Sequence, residues 1–113
     1  RGRSSVALRA VRLARDLLTA ESHRVVGSDE LESVSGLDRF TLARHFRSVF
    51  GTSPHRYQVG RRLMRAQSMI VEGVALSEAA AAAGFADQSH LTRHFSARFG
   101  ITPGRWAVLS RRS

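Results

Sequence analysis

Residues 84–106 read GFADQSHLTRHFSARFGITPGRW, and much of this stretch occurs twice in the chain. Residues 42–57, LARHFRSVFGTSPHRY, align with residues 91–106, LTRHFSARFGITPGRW, with eight identities in sixteen positions. The identities include Arg44/Arg93, His45/His94, Phe46/Phe95, Gly51/Gly100 and Pro54/Pro103. Ser53/Thr102 and Tyr57/Trp106 are conservative pairs, and Asp38/Asp87 continues the match upstream at the same offset. The chain therefore contains an internal duplication.

Each copy carries its own boundary chemistry. Asp38 and Asp87 are suited to cap a helix whose apolar residues, Leu42, Phe46 and Phe50 or Leu91, Phe95 and Phe99, fall at i, i+4 and i+8. Gly51 and Gly100 stand where a left-handed residue ends such a helix. Ser53-Pro54 and Thr102-Pro103 then supply a capping hydroxyl followed by proline at the first position of the next helix. Upstream of each copy the pattern predicts a shorter helix, over residues 29–35 and 76–83, followed by glycine and an apolar plug, Leu37 or Phe85. Short helix, glycine turn, plug and second helix is the layout of a helix-turn-helix.

Working outward, residues 54–72 read as one long helix between the copies. The N-terminal segment reads as another, with Val6, Ala10, Val11, Ala14, Leu17 and Leu18 on one face. Tyr57 and Trp106 are expected as core anchors. The expected fold is all-α: two helix-turn-helix subdomains joined by a long linker helix, about seven helices, with subdomains over 1–53 and 74–113 and the linker over 54–73. The chain begins without methionine, which fits a piece of a longer protein.

Composition narrows the partner. All eighteen basic side chains are arginine and the acids number nine, giving a formal charge of +9 and a sequence pI near 11.8. Such a field attracts polyanions, of which nucleic acid is the commonest for a small basic domain; anionic membranes and acidic proteins would also be drawn. No apolar run approaches the roughly 20 residues that span a bilayer, so no membrane insertion is expected. Cysteine is absent, which excludes disulfides, thiolate catalysis and cysteine-ligated zinc and is compatible with a cytoplasmic protein. The scattered acids assemble no nucleophile with its base, so no enzyme is expected.

Fixing the apolar stripe turns Phe40, Ala43, Arg44 and Arg47 outward on the first second-position helix, and Ser89, Thr92, Arg93 and Ser96 on its repeat, with Gln88 and His90 at the N-terminal edge. The N-terminal part of that helix reaches base edges in a helix-turn-helix. Arginine matches guanine bidentately, Gln and Ser pair with several edges, and an exposed Phe packs on a thymine methyl. Arg39, Phe40, Ala43, Arg44, Gln88, Ser89, His90, Thr92 and Arg93 are the base-reading candidates. Thr41, Arg47, Arg61, Arg62 and Ser96 are the phosphate candidates, and Arg98 is weighted the same way. Phe40 either forms a surface to be covered or folds back on Leu37 or the N-terminal helix. His90 and His94, four apart, could share one face, but no HExxH pattern or third ligand accompanies them, and neither a metal site nor any cofactor is expected.

With these motifs in hand, GFADQSHLTRHFSARFGITPGRW and GLDRFTLARHFRSVFGTSPHRY closely resemble the DNA-binding domain of the AraC/XylS family of bacterial transcription regulators, over about residues 6–106. The resemblance implies two recognition helices in successive major grooves of an asymmetric promoter site on double-stranded DNA. It places base readers at Phe40, Ala43, Arg44, Ser89, His90 and Arg93, and keeps Arg62 and Ala66 on the linker helix. It also implies RNA polymerase as a partner of an activator, and a fused N-terminal effector-binding domain. The chain departs from the pattern at Ser28 and Glu32, where the second copy has Leu76 and Ala80; Val25 and Val26 are the candidates to fill that gap. Ala43 offers no hydrogen bond at a reading position. Other readings are a recombinase or transposase recognition module, a DNA-repair helix-turn-helix, and a protein-interaction module.

Overall fold

The computed structural model describes residues 2–111. Among them are seven α-helices and no strand: α1 (Gly2–Ala20), α2 (Ser28–Ser35), α3 (Arg39–Phe50), α4 (Pro54–Val71), α5 (Leu76–Ala83), α6 (Gln88–Phe99) and α7 (Pro103–Arg111). The all-α expectation therefore holds. Two compact units meet in sequence between Gln58 and Val59, inside α4.

The boundary chemistry is formed twice. Asp38 caps α3 and Asp87 caps α6 through their carboxylates. Gly51 and Gly100 end these helices at φ 75° and 72°, a conformation that costs an L side chain about 1 kcal/mol or more. Ser53 Oγ accepts from Arg56 N–H and Thr102 Oγ1 from Arg105 N–H, both at 3.2 Å, so α4 and α7 begin as their Ser-Pro and Thr-Pro pairs predict.

In the first unit Val11, Ala14, Leu18, Val26, Leu42 and Phe46 form the core. Tyr57 packs edge-on against Phe46 at 5.8 Å, and its hydroxyl lies 2.7 Å from Thr19 Oγ1. In the second, Leu63, Ala66, Ala80, Ala83, Phe85, Leu91 and Phe95 do the same, with Trp106 5.8 Å from Phe95. The duplication thus extends to ring geometry: Phe46–Phe50 and Phe95–Phe99 both stand 4.7 Å apart at 59°.

Three packing expectations are corrected. Val6 is 64% exposed, because the core covers α1 only from about Leu8 onward. Phe99 is 37% exposed; its counterpart Phe50 is half-buried with the Arg15 guanidinium 5.3 Å above its ring. Of the two valines offered to fill in beside α2, Val26 is buried and Val25 is 79% exposed.

α2 itself buries no residue, whereas α5 buries Ala79, Ala80 and Ala83. Glu32, at the place of Ala80, instead accepts from the backbone N–H of Arg39 at 2.8 Å and from Arg39 Nε at 3.1 Å. A polar latch thus ties α2 to the first residue of α3 where alanine packing serves α5. A second polar clamp fixes the start of α2, where Arg24 donates to both carboxylate oxygens of Glu30 at 2.9 and 2.7 Å.

Candidate nucleic-acid interface

The start of α3 is held rigidly. Asp38 Oδ1 accepts from Phe40 N–H at 3.1 Å and Thr41 N–H at 3.0 Å, and its Oδ2 accepts from the Thr41 hydroxyl at 2.8 Å. The Thr41 bonds hold the Asp38 carboxyl below its ordinary range. With the cap fixed, Phe40 stands 77% exposed, and Ala43, Arg44 and Arg47 are exposed along the same helix. The folded-back alternative for Phe40 is thereby set aside.

At the start of α6, Asp87 Oδ1 accepts from His90 N–H at 2.8 Å. Gln88, Ser89, Thr92 and Arg93 line one shallow surface concavity, all exposed except the half-buried Thr92. Among the described residues, the side chains of Arg44, Arg47 and Arg93 make no ion pair or hydrogen bond. Each unit therefore presents a capped helix with an unengaged arginine at the equivalent place.

Other candidates are engaged elsewhere. Arg39 is held by Glu32 and, through Nη2, by Asp29 Oδ1 at 3.3 Å, and the first of these bonds keeps the Glu32 carboxyl below its ordinary range. The Thr41 hydroxyl is spent on the cap. His90 Nδ1 accepts the Ala86 N–H at 3.2 Å, while its Nε2 lies 3.1 Å from Nε2 of His94. Both imidazoles pack on Phe85, with centroids at 5.5 and 6.0 Å. His90 therefore braces the turn, and reading a base would require breaking both of its ring contacts.

The same geometry bears on metal. A metal-bound imidazole donates its other N–H, whereas the His90 nitrogen away from His94 accepts one. Among the described residues no group of three or more potential ligands is found.

Of the phosphate candidates, Arg47 and Arg61 reach the surface. Arg47 is exposed, and Arg61 is half-buried with Nη1 3.9 Å from Met64 Sδ. Arg62 and Ser96 need correction. Arg62 is 5% exposed and desolvation depresses its pKa. The Ser96 hydroxyl is buried without a hydrogen-bond partner. Neither presents its polar group to a phosphate, because the linker arginine and the α6 serine both face inward. Arg98 lies against α4, with Nη1 3.3 Å from where a Cβ on Gly60 would stand.

Sequence reasoning missed the Glu32–Arg39 latch and the His90–His94–Phe85 cluster. The first left a trace, an acid in the alanine position of the repeat seven residues before an arginine. The second left none beyond the i, i+4 histidine spacing.

A family model described as a helix-turn-helix domain matches residues 31–108, which is more than half of the chain. The chain belongs to the AraC/XylS family of DNA-binding transcription regulators. This family and fold are those of regulators, which are not enzymes. A probable AraC family transcriptional regulator from Rhodopseudomonas palustris is similar in structure, with TM-score 0.79, 23% identity, and 89% of this chain matched to 96% of that one. The DNA-binding domain of AdpA, a global transcriptional factor solved in complex with a target DNA, matches with TM-score 0.80 and 23% identity over 90% of this chain and 93% of its own. The xylose-binding transcription activator XylR matches 93% of this chain with 27% of its own length, at TM-score 0.69 and 16% identity. At these identities the likenesses show the fold alone. No curated protein matches the chain. Among the described residues of this AraC-type domain no helix is long and apolar enough to cross a membrane.

Proposed function

We propose that this AraC-type domain binds double-stranded DNA sequence-specifically, with α3 and α6 as recognition helices in successive major grooves of an asymmetric promoter site. One observation carries the reading: Arg44 and Arg93, equivalent in the repeat, are exposed near the starts of two carboxylate-capped helices and have no partner among the described residues. Arginine is the commonest specific reader of guanine in the major groove. The remaining base readers are Phe40 and Ala43 on α3 and Gln88, Ser89 and Thr92 on α6. Arg47 and Arg61 hold phosphates.

Each unit reads one box, and since the two faces differ in residues the boxes differ in sequence. A fused effector-binding domain, contact with RNA polymerase, action as an activator and a cytoplasmic setting complete the proposal. XylR, which carries this fold as 27% of its length, lends support to the fusion.

Selection of bound duplexes from random DNA tests the whole reading. The expected result is an asymmetric site with two unlike boxes about 10 base pairs apart. A palindrome, a single box or no enrichment would refute it.

A further inference from the structure

The two reading faces are chemically unlike. On α6 the first two turns offer hydrogen-bonding groups at Gln88, Ser89, Thr92 and Arg93. On α3 the matching stretch is almost free of them. Phe40 projects a benzyl group, 77% exposed, and Ala43, one turn further on, adds a methyl. The polar neighbours are withdrawn: Arg39 is bound by Glu32 and Asp29, and the Thr41 hydroxyl by Asp38. The cap bond from Phe40 N–H to Asp38 fixes the base of the ring. Arg44 then stands next to this apolar pair as an unengaged cation.

An apolar surface in the major groove has one feature to recognise, the C5-methyl of a pyrimidine. Phe40 and Ala43 carry no group that could inspect the O4 or N4 edge beside that methyl. We infer that α3 reads a C5-methylated pyrimidine next to a guanine, with Phe40 as the methyl reader and Arg44 on the guanine. It follows that thymine and 5-methylcytosine satisfy Phe40 alike, so binding responds to cytosine methylation. The inference rests on the DNA-reading assignment above and specifies what one of its two helices recognises.

The test takes the selected site and replaces each thymine in turn by deoxyuridine, by cytosine and by 5-methylcytosine, with the complementary base opposite. Affinities are measured by fluorescence anisotropy for the wild-type chain, Phe40→Ala and Arg44→Ala. At one or two positions uracil for thymine should raise Kd about fourfold, equivalent to about 0.8 kcal/mol for one buried methylene-sized group. There 5-methylcytosine should bind tighter than cytosine by a similar factor. Phe40→Ala should erase both differences while keeping its circular dichroism melt, since the ring is exposed. Arg44→Ala should lose the guanine preference and keep the methyl effect.

Equal binding of uracil and thymine at every position overturns the inference, as does a methyl effect that persists in Phe40→Ala. A thymine effect without a 5-methylcytosine effect overturns the equivalence and leaves thymine as the ligand. Failure to enrich any site refutes the DNA-reading assignment itself, which a selected site indifferent to methyl groups leaves standing.

Discussion

Arg44 and Arg62 are two of eighteen arginines, and their surroundings are opposite, one exposed and the other buried. Arg44 is exposed, so Arg44→Ala, like Arg93→Ala, should cost about 1 to 3 kcal/mol on the selected site, relax the preference at a few base pairs and leave the thermal melt in place. Arg62 is buried, so its replacement by Ala should instead lower the urea midpoint, by about 1 to 3 kcal/mol of stability; an unchanged midpoint would contradict this. Ser96 makes the reverse case. Its hydroxyl is desolvated without a partner, and alanine is the better helix former, so Ser96→Ala should raise the melting temperature. Sequence placed all three on reading or phosphate-facing surfaces because helical periodicity gives an angle and no depth. Arg62 and Ser96 lie at angles that neighbouring elements cover, and the one-dimensional pattern does not contain those neighbours.

At the scale of elements the sequence was far more legible. Caps, glycine stops and Ser-Pro or Thr-Pro starts are local, governed by residues within four positions of each other, and all formed at both copies. The contact that was not local, Glu32 to Arg39, appeared in the repeat only as a mismatch. It also makes the first unit sensitive to acid. Glu30 titrates at about 2 against an ordinary 4.5, chiefly through its hydrogen bonds from Arg24 and also through the Gly27 N–H. Glu32 and Asp38 are shifted in the same direction. Each carboxylate is more acidic folded than unfolded, so its contribution is complete above the unfolded value and is lost as pH falls from about 4.5 toward 2. Urea unfolding across this range should show stability declining on acidification, and Glu30→Gln should flatten the decline. A slope unaffected by Glu30→Gln would assign the acid sensitivity to other groups.

For the molecule as a whole, the net charge of +9 implies that DNA affinity falls steeply with salt. Arg47→Ala and Arg61→Ala should each reduce the slope of log K against log salt by about one and weaken selected and random duplexes equally; a loss confined to the selected site would reassign them as base readers. The all-α class, the duplication and the family were legible because they rest on a repeated pattern spread over most of the chain. The division between Gln58 and Val59 was not legible, since it falls inside a continuous helix and leaves no turn or glycine run to mark it. One element sets the order in which the structure comes apart. α2 has no fully buried residue and packs on the core chiefly through the half-buried Leu31, beside its ion pairs and its latch to α3, so its backbone amides should exchange with deuterated solvent before those of α5, which buries three alanines. Such opening would free α3, the proposed first recognition helix, from its latch to α2 while most of the fold persists, so under the proposed reading the preference at the α3 box should fade on warming some degrees before the protein melts.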